Sequence, residues 1–258
     1  MKKTLSLLAV LIATGVAATP VQAANHYVSA LAGVSWMQDN DVTYANDWVS
    51  NTDRWHNTFD SGITGVVAIG CDYGSTRLEA EAGYQRNDFR EAGFPYDLTD
   101  DWGRSSLTGG KSTVYSLMAN GFYDIPLGGG AELYGMAGLG VAQINLEGNY
   151  AINFFEGESI NGDPFQDDRV TAEDMTYKAH TTAFAYQLGA GVTIPLSKGV
   201  VLDARYRYFA TADFTVTGPV ESTWFVDGND DFQTAYTNNS LNTHISSHSV
   251  LVGLRVDI

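Results

Sequence analysis

Two phrases near the C-terminus set a base beside a nucleophile: His244-Ile245-Ser246 and His248-Ser249. With a carboxylate to orient the imidazole, such a pair could run acyl transfer. A triad is defined by geometry, and serine and histidine are ordinary in a polar strand or loop, so the phrases assign no activity by themselves. Asp163, Asp167 and Asp168, or Asp227, Asp230 and Asp231, could offer oxygens to calcium. Neither run has the calcium-loop spacing with its closing bidentate Glu, and both read as solvated acidic loops. Asp100 and Asp101 are one acid pair among many. His180 and His244 lack a third ligand for zinc. Cys71 is the only cysteine, which excludes an internal disulfide and a cysteine-built metal site. Near a short turn, it reads as a small apolar filler. The residues therefore point to no catalytic group, no metal and no cofactor.

The elements that position these residues follow from composition and pattern. The 258 residues carry 14 Lys+Arg against 30 Asp+Glu, a formal charge of −16, which argues against nucleic acid as a partner. Residues 1–23 begin with Lys2 and Lys3 and continue through an apolar stretch from Leu5 to Val16. Val21-Gln22-Ala23 resembles a processing site, with cleavage between Ala23 and Ala24. Removing Lys2 and Lys3 with that segment takes the formal charge from −16 to −18. Residues 24–258 then form one domain, exported to the envelope of a Gram-negative cell.

After residue 23 the apolar pattern has period two, the signature of strands. Leu78, Ala80, Ala82 and Tyr84 share one face; Arg77, Glu79, Glu81, Gly83 and Gln85 share the other. Strands are predicted over about 26–37, 61–72, 76–88, 112–125, 131–146, 181–194, 200–216 and 245–258. Each approaches or exceeds the roughly 9–11 residues that a tilted strand needs to cross a bilayer. Short connections at 72–75, 126–130 and 196–199 carry Gly, and two follow the phrase Ile-Pro-Leu. The long connections, counted as 39–60, 88–111, 150–180 and 219–244, hold 21 of the 30 acids and six bases. Self-repulsion keeps such loops hydrated. Their aromatics, Trp48, Trp55, Trp102, Trp224, Phe154 and Phe155, would pack the loops together or anchor a partner.

Short turns at one end and long loops at the other describe a transmembrane barrel: all-β, eight antiparallel strands running up and down, short periplasmic turns, four long extracellular loops. The apolar face then meets lipid and the polar face lines the lumen. Tyr84, Tyr206 and Tyr208 fall toward strand ends on the apolar face, as interfacial girdles require. In an eight-strand ring the third and seventh strands oppose each other. That sets Glu79 and Glu81 across from Asp203, Arg205 and Arg207, with Arg255 on the eighth strand nearer the periplasmic end. Opposed pairs offset desolvation in a lumen only wide enough for side chains. This layer reads as a structural plug; the alternative is a gate passing small ions.

The chain resembles the eight-stranded outer-membrane barrels of the OmpA-type, opacity and surface-antigen superfamily. The resemblance rests on the N-terminal segment and on residues 133–141, 186–192, 203–208 and 249–256, and it covers essentially the whole mature chain. It implies insertion by the barrel-assembly machinery, with the terminal strand of Val250, Val252, Leu254, Val256 and Ile258 as the assembly signal. Such barrels usually end in an aromatic residue, whereas this chain ends in Ile258. The resemblance further implies a surface role in envelope integrity or interaction, with outer-membrane lipid as a partner and an extracellular partner at the loops. The expected state is a monomer without enzymatic activity. The alternatives are a narrow porin-like channel gated by the lumen pairs, and a rim-site lipid or peptide hydrolase.

Overall fold

The computed structural model describes residues 25–45, 53–93, 104–153, 172–226 and 231–258. Strands account for nearly all of them: β1 (Asn25–Met37), β2 (Asn40–Ala45), β3 (Asp53–Phe59), β4 (Gly62–Asp72), β5 (Thr76–Gly93), β6 (Arg104–Gly128), β7 (Ala131–Asn153), β8 (Ala172–Ser197), β9 (Val200–Thr211), β10 (Phe214–Val226), β11 (Asp231–Thr243) and β12 (Ser246–Asp257). Every pairing is antiparallel. The ring runs β1, β4, β5, β6, β7, β8, β9, β12 and closes because β1 bonds both β4 and β12. Closure leaves no edge to satisfy, which a spanning sheet requires in lipid.

Alternation decides the two faces. In β12, Val250, Val252, Leu254 and Val256 are outward and exposed, as is Ile258 beyond its end, while Ser249, Leu251 and Arg255 are buried in the lumen. β1 repeats this, with Val28, Val34 and Trp36 outward and Tyr27, Leu31 and Ser35 inward. The outward apolar band is bounded by Tyr73 and Tyr123 at the short-turn end. At the other end stand Trp36, Tyr115, Tyr186 and Tyr206. The turns need glycine where the backbone turns left-handed: Gly74 has φ 95° and Gly199 has φ 72°. Asp72 Oδ1 accepts a bond from the Gly74 N–H at 2.8 Å and shapes the first turn.

The strands run further than the alternation predicts. β6, β7 and β8 have 25, 23 and 26 residues and climb into the stretches read as loops. The predicted loops 39–60 and 219–244 contain strand as well: β2 pairs with β3, β10 pairs with β11, and β11 also joins β2. The single strand predicted over 200–216 is interrupted at Ala212-Asp213, between β9 and β10. The reason is composition: these stretches lack period two, and segments such as Thr237-Asn238-Asn239-Ser240 read as turn. The N-terminal segment 1–23, the Ala23–Ala24 junction, Asp100, Asp101, Trp48, Trp102, Phe154, Phe155, Asp163, Asp167, Asp168, Asp227 and Asp230 lie outside the described residues.

Candidate functional site

Read upward from the periplasmic turn, the inward side chains of β5 index the lumen floor by floor. Arg77 comes first. Its Nε and Nη2 donate to Asp124 Oδ2 and Oδ1, both at 2.8 Å, and its guanidinium lies 4.4 Å from the Phe122 ring centre and 4.9 Å from that of Tyr134. A bidentate pair with stacked aromatic faces suits a fully buried guanidinium. Glu79 follows, accepting from Tyr27 Oη at 2.9 Å.

Glu81 comes next and is the hub. Arg205 Nη1 donates to its Oε2 at 3.0 Å, Asn120 Nδ2 to the same oxygen at 3.1 Å, and Gln187 Nε2 to Oε1 at 3.1 Å. Arg205 also reaches Asp203 at 3.3 Å and Glu79 at 3.8 Å. Tyr134 Oη donates to Asp203 and accepts from Arg205 Nε. Arg207 lies 3.8 Å from Glu81 and donates to Thr64 Oγ1 at 2.9 Å.

Arg255 stands apart near the periplasmic mouth, 3.9 Å from Asp72 and 4.0 Å from Glu132. Of the six residues singled out in the sequence, Glu79, Glu81, Asp203, Arg205 and Arg207 thus meet in one network, and Arg255 joins a different set. The alternation also pointed Arg77 into the lumen but did not supply its partner, because Asp124 lies 47 residues away at the end of the predicted strand 112–125 and only cross-strand register brings the two together. Tyr27, Tyr134, Asn120 and Gln187 carried no charge to mark them. Four buried arginines (77, 205, 207, 255) equal in number the four buried carboxylates (79, 81, 124, 203) among the described residues.

Two glycines make room for this network. A Cβ at Gly191 would collide with the Tyr134 ring and the Ala204 carbonyl, and one at Gly70 with the Tyr27 ring. Gly191→Val is expected to lose about 1–3 kcal/mol, typical of overpacking, and to displace Tyr134 from Asp203. Urea unfolding of the refolded barrel measures the loss.

Higher on β5, Gln85 accepts from Ser247 Oγ at 3.1 Å, and Asn87 accepts from Ser35 Oγ at 3.0 Å. Beside and above them the lumen turns apolar. Met37, Phe59, Val114, Met118, Ala142, Ile144, Ala183, Phe209, Phe214, Val216 and Ile245 form one buried cluster, with Phe89 and Leu146 packed on it. Nothing in the sequence separated this layer from the lipid-facing one, since inward and outward aliphatics look alike once the alternation weakens.

At the rim, Ser246 Oγ donates to Gln38 Oε1 at 2.6 Å, and His244 Nδ1 lies 3.5 Å from Asp213. His248 stacks on Tyr206 and shares a 2.6 Å hydrogen bond with its hydroxyl; Ser249 is buried in the lumen. The second phrase is therefore split between the outer face and the lumen, and in both phrases the histidine has a partner other than serine. His180 is exposed on the outer side of β8. Cys71 is half-exposed, with its Sγ 3.4 Å from His26 Nδ1, so it packs into no core and the filler reading is corrected. Its position is an outward one, at the end of β4 where the wall meets the periplasmic turn.

No curated protein matches the chain. Among solved structures, Neisserial surface protein A is 15% identical over 90% of this chain and 97% of its own, with a TM-score of 0.41. OprG, an outer membrane protein from Pseudomonas aeruginosa, is 13% identical over 91% and 96%, with a TM-score of 0.48. Ail, the attachment invasion locus protein of Yersinia pestis, is 14% identical over 90% and 99%, with a TM-score of 0.36. The family described as the outer membrane protein beta-barrel domain matches residues 6–254. With a closed ring of eight spanning strands, an outward apolar band and a polar, side-chain-filled lumen, the chain belongs to that family of Gram-negative outer-membrane barrels.

Proposed function

We propose that this chain acts as a sealed, surface-exposed barrel of the outer membrane, with a structural and interactive role in the envelope. The observation that supports the reading is a lumen filled by two kinds of buried side chain, a balanced set of charges and an apolar cluster packed beside and above it. A hydrated ion would have to displace the Glu81–Arg205 pair and then cross side chains that offer it nothing in exchange for water. The working surface is then the long-strand end, where the acidic loops face the medium. A leader over 1–23, cleaved before Ala24, would deliver the chain, and the barrel-assembly machinery would insert it as a monomer.

A second reading has its own support. Arg207 Nε, Glu79 Oε2 and Gln187 Oε1 are buried without a hydrogen-bond partner, which suits waters threading the charged layer. A narrow small-ion path gated by the same pairs would use them. Planar-bilayer conductance of the refolded mature chain separates the two. The sealed barrel stays silent while a heat-modifiability gel shows it folded, and it stays silent in Arg205→Ala because the apolar layer persists. Steady openings in the wild type that change in Arg205→Ala would establish the channel instead.

A further inference from the structure

The cations on the outer wall are not spread around it. Among residues whose side chains are described, the lipid-side Arg and Lys are Arg86 and Arg90 on β5, Lys111 on β6 and Lys178 on β8; β1, β4, β9 and β12 have none. Register sets Lys111 and Lys178 in one row with two acids, flanked by Arg86 and Arg90. Asp88 pairs with Lys111, Lys111 with Glu147, and Glu147 with Lys178, so four adjacent strands carry a line of charge on the same face.

Lys111 Nζ lies 2.9 Å from Glu147 Oε2. The hydrogen bond from Lys111, then the charges of Lys111, Lys178 and Arg86, hold the Glu147 carboxyl below the usual range. Arg86 lies 3.1 Å from Asp88, and Arg90 lies 2.8 Å from Asp60. Lys178 has no ion pair among the described residues, which leaves the patch with one cation in excess on a strongly acidic chain. Exposed pairs of this kind are worth only about 0–1 kcal/mol each, so a multivalent anion can exchange into them.

Position identifies the anion. The patch stands immediately beyond the aromatic girdle on the long-strand side, above Tyr84 and Tyr115, whose rings are 5.5 Å apart. That is the headgroup level of the outer leaflet. Tyr84, two residues below Arg86 on the same face, also borders a lipid-side furrow of about 540 Å³ floored by Ala30, Ala32, Gly65 and Ala82. A cationic headgroup site that continues into an apolar furrow fits one molecule carrying both phosphate and acyl chains.

We infer that Arg86, Lys111 and Lys178 bind the phosphate of a phosphorylated, acylated glycolipid of the outer leaflet, with an acyl chain along the furrow beneath Tyr84. A phosphate monoester carries about −1.5 to −2 charges and three strong acceptors, enough to engage all three cations. The site rests on the outer-membrane placement of the chain and not on a sealed lumen, so a conducting barrel would leave it standing.

The test is binding of bisphosphorylated lipid A to the folded mature barrel in detergent micelles, beside the same lipid with its phosphates removed. The wild type should favour the phosphorylated form by about tenfold or more, and the Arg86→Gln, Lys111→Gln, Lys178→Gln triple variant should lose that preference. Glu147→Gln removes the competing carboxylate and should tighten binding. It carries the test if the triple variant fails the heat-modifiability check. Equal binding of the two lipids, a triple variant that keeps the preference, or an unmoved Glu147→Gln overturns the site. Displacement of the lipid by millimolar inorganic phosphate overturns the lipid assignment and leaves a free-phosphate site.

Discussion

Arg205→Ala is expected to destabilise the barrel by about 3–5 kcal/mol, because it leaves buried carboxylates without their cation. Arg205 is 2% exposed and within 4.0 Å of three of them, Glu79, Glu81 and Asp203. Deleting its guanidinium also strips the hydrogen bond accepted by Tyr134 Oη. Arg86→Ala is the matched control. Arg86 pairs with Asp88 at 3.1 Å, but the two side chains are 45% and 58% exposed, so its loss should be about 0–1 kcal/mol. Urea titration of the mature chain refolded into vesicles, followed by the heat-modifiable gel shift, gives both numbers. Equal losses would mean that the lumen holds enough water to solvate Glu81 unaided, and the charged layer would no longer count as a seal.

Asp124→Ala should cost a similar amount, about 3–5 kcal/mol, by stranding Arg77 at 0% exposure. The informative variant is the double replacement, Arg77→Met with Asp124→Leu. Removing both charges at once leaves nothing to desolvate, and replacement of a buried pair by apolar residues of similar size is often neutral or stabilising. Methionine beneath Phe122 and Tyr134 also keeps a polarisable contact with the rings that now flank the guanidinium. The double variant is therefore expected within about 1 kcal/mol of wild type, in contrast to the single change. A double variant as unstable as Asp124→Ala would show that the pair itself, rather than the avoidance of a lone charge, holds β5 to β6. Glu81 and Arg205 should not behave this way. Glu81 also takes bonds from Asn120 and Gln187, so removing that pair leaves one N–H on each amide without an acceptor, although the two amides still bond each other.

The fold was legible where a wall separates lipid from lumen. Leu78, Ala80 and Ala82 against Arg77, Glu79 and Glu81 is a pattern that only a two-faced strand produces, and eight such stretches with alternating connection lengths describe the ring. Legibility ended where the wall leaves the bilayer. Residues 104–111, 147–153 and 172–180 are strand, yet no sustained period-two alternation marks them in the sequence. The hairpins β2–β3 and β10–β11 were hidden for the same reason.

The chemistry divides in the same way. His244, Ser246 and His248 looked like partners by spacing, but the break before β12 and its alternation send them to different neighbours. Lys111, Glu147 and Lys178 looked like scattered loop charges until cross-strand register set them in a row.

Alone, the sequence determined that alternating strands set aliphatic side chains such as Leu78, Val250 and Val252 on one face and that Glu79, Glu81, Asp203, Arg205 and Arg207 point the other way. Those are local consequences of side chains alternating along a strand. The tertiary structure decided which of these groups meet. Arg205 and Glu81 are 124 residues apart, and only ring closure and register bring them to 3.0 Å. It also decided that an apolar layer stands above them, since thirteen buried residues drawn from most of the strands form that layer only once the ring has closed.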